Sequence, residues 1–458
     1  MSKKTKTLIA ALGLLIALAG GYYGSTLWSK NKTASPISSH TPTPVLGNLN
    51  TYDLAKIETG DMVLERKGDI WEISSLKGKI PPGGIALDQW QIQMMTYSLA
   101  SMWVNRIVEE EPEDLSIYGL ENPVSRTIAS DSSGKKAVYL LGDMTPSMTD
   151  YYVMEEGDPK VYSVSSYAAE VLRLTLDNIR QRTLFTAAID LQNLIQFRLE
   201  SPESRIEVIS KPETVQPHLS FTHFSHILTS PYLLTRAADN ENLGNLLQTI
   251  FAMQIADFID DNPSSLRPYG LDRPTRLFIQ GTDQSVDLLI GSAVDGKHYA
   301  KLAGAPSVFT LRDLDSVLNA KPFSFMDKFA LLLNIQIVDR LTVTGEGRTI
   351  TAEINDQDEG SIFLVGGKKA EDKSFRKFYE AVIGLLIDAE YTGGSPGTGG
   401  NITIEYHFKT PPAERTSITL IPLNRDFYLL RQEGTTEFMI SRSQVNRIFE
   451  TADAIVFE

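Results

Sequence analysis

Two serines stand in patterns that enzymes use for nucleophilic catalysis. Ser374 and Lys377 have the Ser-x-x-Lys spacing of penicillin-interacting enzymes, and Ser395 is the centre of a Gly-x-Ser-x-Gly pattern typical of a nucleophile elbow. The companion Ser-Asp-Asn and Lys-Thr-Gly motifs are missing, and the residues around Ser395 do not predict the strand and helix that an elbow requires. We therefore interpret Ser374 as a helix N-cap and residues 393–400 as a flexible loop.

Three histidines and one acidic loop are the candidate metal ligands. His218, His223 and His226 form a cluster, but their spacing matches no helical metal motif and no carboxylate lies among them. The loop at 355–360 resembles a fragment of a calcium-binding loop without the bidentate glutamate that completes such a site. We expect packing or surface histidines and a hairpin turn, and therefore no metal site.

Clustered carboxylates at 109–111 and 260–261 are of the residue type that glycosidases use as acid and base. Both clusters precede a proline that recurs in the sequence, Pro112 and Pro263, and a catalytic pair would not need a copy in each repeat. We interpret them as solvated helix ends. The sequence thus predicts no catalytic residue, no metal ligand and no cofactor, and we expect a protein that is not an enzyme.

The elements that position these residues are repeated along the chain. The Tyr-Gly-Leu turn at 118–120 recurs at 269–271, an offset of 151 residues, and the same offset joins two helices with matching apolar positions. A turn that recurs in the same place indicates scaffold rather than a ligand-binding loop. We predict the first helix at 88–106 and a closing helix at 166–174. The apolar seams are Ile92, Met95, Leu99 and Met102; Leu243, Leu246, Ile250 and Met253; and Phe375, Phe378, Val382 and Leu385.

Paired β-like runs flank each helix, so the chain predicts an α+β fold of tandem modules, in which small antiparallel sheets or hairpins pack with amphipathic helices. The expected modules are residues 51–184, 185–330 and 331–458. The third is divergent, because it keeps the helix seam and hairpins and lacks the Tyr-Gly-Leu turn. Arrays of this kind usually present surface to partners.

The first 50 residues predict a membrane anchor and a spacer. Three lysines lie in a tail at 1–6, expected to be cytoplasmic, and residues 7–28 carry no charge and are long enough to cross a bilayer once. The stretch at 29–50 is rich in Pro, Ser and Thr and reads as a spacer. A cleavable signal peptide is the alternative. Either reading exports the body, which we expect at the extracytoplasmic side of a cell membrane.

Composition excludes several functional classes. Cysteine is absent, which removes disulfides, thiolate metal sites and cysteine nucleophiles. The net charge of −14 disfavours binding to nucleic acid.

The residues around the first Tyr-Gly-Leu turn resemble a known family. The segments at 111–123, 141–143, 151–153 and 161–164 look like the domain-of-unknown-function 4340 family. This resemblance implies a bacterial cell-envelope protein with an N-terminal transmembrane helix, often encoded beside ABC-transporter components of the gliding-motility type. The family has no established catalytic residues, so the resemblance transfers none.

Two functions are compatible with these features. The first is an extracytoplasmic binding or scaffold protein, an accessory of an ABC-transporter complex. The alternative is a cell-envelope hydrolase or a polysaccharide-binding enzyme, suggested by export and by three tryptophans that we expect to be exposed, Trp71, Trp90 and Trp103. The competing interpretation places the same tryptophans in the core of the first module. The small-molecule ligand, if there is one, is not specified by the sequence.

Overall fold

The chain folds into two compact units. The computed structural model describes residues 45–79, 85–216, 219, 224–357, 360–393, 399–409 and 414–458. The first unit comprises the described residues of Met1–Pro81 and Leu87–Ile179, and the second comprises those of Pro82–Ala86 and Arg180–Glu458. Among the described residues, no helix has the length and hydropathy to cross a membrane, and the predicted anchor at 7–28 lies outside them.

The first unit contains module 1, an antiparallel sheet of eight strands with one long helix. Its elements are β1 Val45–Leu46, β2 Leu54–Thr59, β3 Met62–Lys67, β4 Ile70–Leu76, α1 Gln89–Ala100, β5 Met102–Trp103, β6 Arg106–Glu109, β7 Ser125–Asp131, β8 Lys136–Met144, β9 Asp150–Glu155, β10 Val161–Ser165, α2 Ser166–Glu170 and α3 Leu176–Ile179.

The second unit contains modules 2 and 3, each with a nine-stranded sheet. Module 2 is built from β11 Leu194–Glu200, β12 Arg205–Ser210, β13 His226–Ser230, β14 Arg236–Ala237, α4 Asn240–Phe251, β15 Ile255–Asp260, β16 Thr275–Gly281, β17 Ser285–Val294, β18 Lys297–Leu302, β19 Val308–Leu311 and α5 Asp315–Leu318. Module 3 is built from β20 Val338–Gly345, β21 Arg348–Gln357, β22 Gly360–Val365, β23 Lys368–Lys369, α6 Asp372–Ile383, β24 Ala389–Glu390, β25 Ile402–Phe408, β26 Arg415–Pro422, β27 Phe427–Gln432, β28 Thr435–Ser441 and α7 Arg442–Asp453.

All three sheets have one topology. The strand orders are β4-β3-β2-β7-β8-β9-β10-β6, β14-β13-β12-β11-β16-β17-β18-β19-β15 and β23-β22-β21-β20-β25-β26-β27-β28-β24. The three orders align strand for strand, except that module 1 lacks a described counterpart of β14 and β23. The divergent third module is therefore a repeat of the same architecture. The α+β prediction is confirmed, with more residues of each module in antiparallel strands than in helices.

The sheets are larger than the small hairpins that we predicted. The hairpin before each long helix pairs with the strands after it, through β2 with β7, β11 with β16, and β20 with β25. Burial alternates along such strands, as in β25, where every second residue is buried. The alternate residues point to the helix side and form the core.

The first long helix of each module, α1, α4 or α6, begins at an acidic N-cap, whereas α7 follows Ser441. The side chains of Asp88, Asp239 and Glu371 accept a hydrogen bond from the backbone N–H three residues later, at 2.9, 3.0 and 2.8 Å. The prediction of Ser374 as the N-cap was wrong by three residues, because Glu371 fills that position. This common N-cap fixes which residues of α1, α4 and α6 are equivalent.

Three predicted boundaries are corrected. The helix expected at 88–106 ends at Ala100, because Met102 and Val104 are buried and Trp103 is exposed, an alternation that suits a strand. That strand, β5, pairs with β1, so residues 45–50 of the expected spacer belong to the folded unit.

The closing helix expected at 166–174 ends early, at Glu170. A second short helix, α3, follows it at Leu176–Ile179.

Modules 2 and 3 share one continuous core. Its buried residues run from Ile189 to Ile455. The junction is also polar, since Tyr232 donates a hydrogen bond to Glu390 at 2.6 Å, and the Glu437 carboxylate accepts from the backbone N–H of Leu233 at 2.8 Å and of Leu234 at 3.1 Å. Contacts of this kind make the second unit one cooperative body.

Candidate functional site

The outward faces of the three equivalent helices differ in chemistry. In α1 the second, sixth and ninth residues after the N-cap are Trp90, Met94 and Tyr97, which are 73%, 44% and 42% exposed. The residues at the same places in the other modules are exposed and polar or charged: Glu241, Asn245 and Gln248 in α4, and Lys373, Lys377 and Glu380 in α6. The fold therefore does not require apolar residues at these positions. Their presence in module 1 marks a surface with a separate role.

A groove runs beside this face of α1. It has a volume of about 690 Å³ and lies between α1 and the segment that contains α2 and α3. Met95 and Val171 are buried in its wall, while Tyr167 is 77% exposed at its edge. Its aromatic and methionine side chains share the lining with the charged Glu170 and Arg173. The apolar part of the groove suits apolar groups, because methionine adapts its shape to irregular contacts.

Further exposed aromatic residues extend the surface beyond the groove. The ring of Tyr52 meets that of Tyr97 edge to face, with 6.4 Å between centroids. Trp103 follows α1 directly and is paired with Val45 in the β1–β5 ladder, and both side chains are exposed. We call the following residues the apolar face of module 1: Tyr52, Trp90, Met94, Tyr97, Trp103 and Tyr167.

Charge is absent from the centre of this face although the module is acidic. Residues 45–179 contain 21 acidic and 11 basic side chains, yet residues 89–105 contain neither. At the groove edge the Arg173 guanidinium donates to the Tyr151 hydroxyl at 3.1 Å. The surface thus offers an occupant apolar contact with few ionic partners.

Ser374 does not form a nucleophilic site. Its hydroxyl donates to the backbone carbonyl of Glu371 at 3.0 Å and accepts from the N–H of Val456 at 3.1 Å. These bonds hold the first turn of α6 to the chain after α7. Lys377 lines the same shallow pocket of about 260 Å³, together with Glu371 and Lys373. Ser395 lies outside the described residues.

The candidate metal ligands are not brought together. His226 is buried, and its ring nitrogens are used by Ser225 Oγ at 2.9 Å and the Leu194 carbonyl at 3.1 Å, while His218 and His223 lie outside the described residues. The loop at 355–360 joins β21 to β22, with Gln357 paired to Gly360, as expected of a hairpin. Within the described ranges, no cluster of three or more His, Asp or Glu side chains could hold a metal ion.

The repeated carboxylates anchor the Tyr-Gly-Leu turns. Glu109 and Asp260 end strands β6 and β15, so the interpretation of these clusters as helix ends was wrong. The Tyr118 hydroxyl donates a hydrogen bond to the Glu109 carboxylate. This bond is the main cause, and burial the second, that raises the pKa of Tyr118 to about 12. Tyr269 donates to Asp260 at 3.1 Å in the same way. Asp261 is held by the buried Arg180. These contacts agree with a structural role for both turns.

The glycines of the two turns confirm the backbone conformation that we predicted. Gly119 and Gly270 both have a φ of 66°, in the left-handed region that glycine tolerates best. A side chain at Gly119 would overlap the carboxylate of Asp143.

The tryptophans divide between core and surface. Trp71 is buried, as the core interpretation predicted, whereas Trp90 and Trp103 are exposed and do not fill the core. Sequence reasoning missed the apolar face because any apolar residue in an amphipathic helix is first assigned to the core. The signal was present, since Glu241 stands 151 residues after Trp90.

The fold and surface define a class of protein with repeated α+β modules, of which the first carries an exposed apolar face. The family model described as Domain of unknown function (DUF4340) matches residues 80–230 and 227–386, and the chain belongs to this family. Each match begins shortly before a long helix and continues into the strands of the following module. The boundaries of the family unit therefore differ from the boundaries of the sheets. No curated protein and no solved structure matches the chain.

Proposed function

We propose that this chain is a membrane-anchored, extracytoplasmic binding or scaffold protein that performs no catalysis. Residues 7–28 form the anchor, and the repeated modules form the body outside the membrane. The observation that carries this proposal is the apolar face of module 1. Its outward helix positions are apolar only there, while the same positions in modules 2 and 3 are polar, so the difference serves binding and not folding.

The absence of catalysis has separate support. Ser374 is committed to two backbone hydrogen bonds, and both ring nitrogens of His226 are occupied. An acyl-transfer enzyme needs a nucleophile hydrogen-bonded to a base, and the Ser374 hydroxyl is instead bonded to two backbone groups.

The partner in this proposal is a membrane transport complex that contains ABC-transporter subunits. This part rests on the family setting and not on the geometry of any surface. A body of repeated modules in a chain with a net charge of −14 is compatible with such a role, because it can hold an exported component beside a membrane complex.

Capture of the full chain from gently solubilised membranes, after cross-linking in cells, tests the proposal. The control is an unrelated exported domain fused to residues 1–44 and expressed at the same level. We expect enrichment of an ATPase and its membrane subunit over this control. Equal recovery from both baits would contradict the transport partner. Release of soluble fragments from cell-wall polymers by the purified chain would contradict the absence of catalysis.

A further inference from the structure

We propose that the apolar face of module 1 rests on the lipid headgroup region of the bilayer in which the chain is anchored. This inference rests on the proposed function, because it requires residues 7–28 to lie in the membrane. It adds a second contact with the lipid, made by the folded body itself.

The first argument is where the tether enters the fold. Residues 29–44 separate the predicted anchor from β1, and a chain of 16 residues spans at most roughly 55 Å when fully extended. The first described residue, Val45, is paired directly with the exposed Trp103. The tether therefore keeps this part of module 1 within that distance of the membrane surface.

The second argument is composition. Tryptophan and tyrosine prefer the interface between hydrocarbon and water, where the ring is buried and its N–H or O–H remains hydrated. Five of the six residues of the apolar face are Trp or Tyr. Three of its residues, at 90, 94 and 97, follow the spacing of one helical face, so α1 can lie flat on the surface.

The third argument comes from the other two modules. Modules 2 and 3 follow module 1 in the chain, and their outward helix positions are charged or polar. The residue that corresponds to Trp103 in module 2 is Gln254. The apolar residues thus occur in the module attached to the tether and are replaced in the module that follows it.

The net charge of module 1 indicates which lipid headgroups the apolar face contacts. The module has ten more acidic than basic residues, and a strongly anionic membrane would repel it. The uncharged stretch at 89–105 fits zwitterionic headgroups, with which no ion pairs are needed. We therefore assign the face to a neutral phosphatidylcholine or phosphatidylethanolamine surface.

The absence of cysteine makes a direct test simple, because any introduced cysteine is the single thiol of the chain. Met94→Cys places a nitroxide label on the apolar face, and Asn245→Cys and Lys377→Cys place it at the equivalent positions of α4 and α6. Leu15→Cys places the label in the predicted anchor and reports whether that segment lies in lipid. Each full-length variant is reconstituted in phosphatidylcholine nanodiscs, and collisions of the label with oxygen, which concentrates in lipid, and with a water-soluble nickel chelate are measured.

We expect the oxygen-to-nickel collision ratio at position 94 to exceed the ratios at 245 and 377 several-fold. Exchanging Trp90→Glu, Tyr97→Gln and Trp103→Gln, the residues of module 2, should return the ratio at 94 to the value at 245. A water-like label at 94 beside a lipid-like label at 15 would overturn this inference alone. Water-like labels at both would overturn the anchor as well. A label at 94 that is shielded from both reagents would show that protein covers the face, and would also overturn the inference.

Discussion

Trp90 and Glu241 occupy the same position in two modules of matching strand order, each two residues after an aspartate N-cap. One is a large apolar side chain, and the other is a carboxylate. Both are exposed. Trp90 is therefore not needed for burial in the core. Comparison with Glu241 indicates that the fold accepts a charged residue at this position, so the tryptophan serves the surface of module 1. The first prediction follows from this comparison.

Replacing Trp90→Glu, Met94→Asn and Tyr97→Gln should leave the stability of the first unit almost unchanged. Exposed positions away from special structural features usually alter the free energy of unfolding by no more than about 0.5 kcal/mol each. Urea denaturation followed by circular dichroism measures the change. The control is Ile92→Ala, a fully buried residue of the same helix, for which we expect a loss of about 2–5 kcal/mol. A large loss in the triple variant would mean that the apolar face is part of the core.

Gly119→Ala should destabilise module 1 by about 1–3 kcal/mol, because the new methyl group combines an unfavourable positive φ with a steric overlap. The matched control is Gly68→Ala. Gly68 has a φ of 64° against 66° for Gly119, but no atom lies within 4 Å of the added Cβ. Only the backbone term, about 1 kcal/mol, should remain at Gly68. Equal losses of unfolding free energy in the two variants would refute the close packing of the turn against Asp143.

The hydrogen bond from Tyr232 to Glu390 should couple modules 2 and 3. Burial raises the pKa of Tyr232, and the bond to Glu390 raises it further. A double-mutant cycle with Tyr232→Phe and Glu390→Gln should give a coupling energy of about 0.5–3 kcal/mol. Amide hydrogen exchange in both sheets provides the second readout, since weakening the junction should increase exchange in each. A coupling energy near zero would contradict a contribution of this hydrogen bond to the junction.

Ser374→Ala should lower stability by about 1 kcal/mol, because the backbone groups of Glu371 and Val456 lose their bridging hydroxyl. We also expect that Ser374 does not form a covalent adduct with penicillins. Wild-type protein incubated with a fluorescent penicillin should remain unlabelled on a denaturing gel, with a genuine penicillin-binding protein as positive control. Labelling that disappears in Ser374→Ala would assign the Ser-x-x-Lys motif to catalysis and would contradict the structural interpretation.

The sequence was most informative where local rules decide the structure. Helix positions such as Ile92 and Leu243 were identified by their spacing, and the left-handed glycines by their recurrence. Sheet assembly was not predicted, because the pairing of Ile57 with Ala129 joins residues 72 positions apart and depends on the whole module. The junction between Tyr232 and Glu390 spans 158 positions and has no local signal.

The surface was the least predictable part. Spacing identifies an apolar helix face but does not say whether another element covers it. In α4 and α6 one face is apolar and the other polar, so the sequence pattern alone predicts which face is buried. In α1 both faces are apolar, and the pattern does not make this distinction. Only a comparison of equivalent positions across the modules reveals that Trp90 has no structural counterpart.

Topology measured in intact cells tests the central claim most directly. Asn245→Cys introduces the single thiol of the chain on an exposed, polar helix position of the body. We predict that the full-length variant stays in the membrane pellet after alkaline carbonate extraction and that, with the outer permeability barrier opened, a maleimide that cannot cross the cell membrane labels it before lysis. Full-length protein that is recovered in the cytosolic fraction and reacts only after lysis would contradict the account.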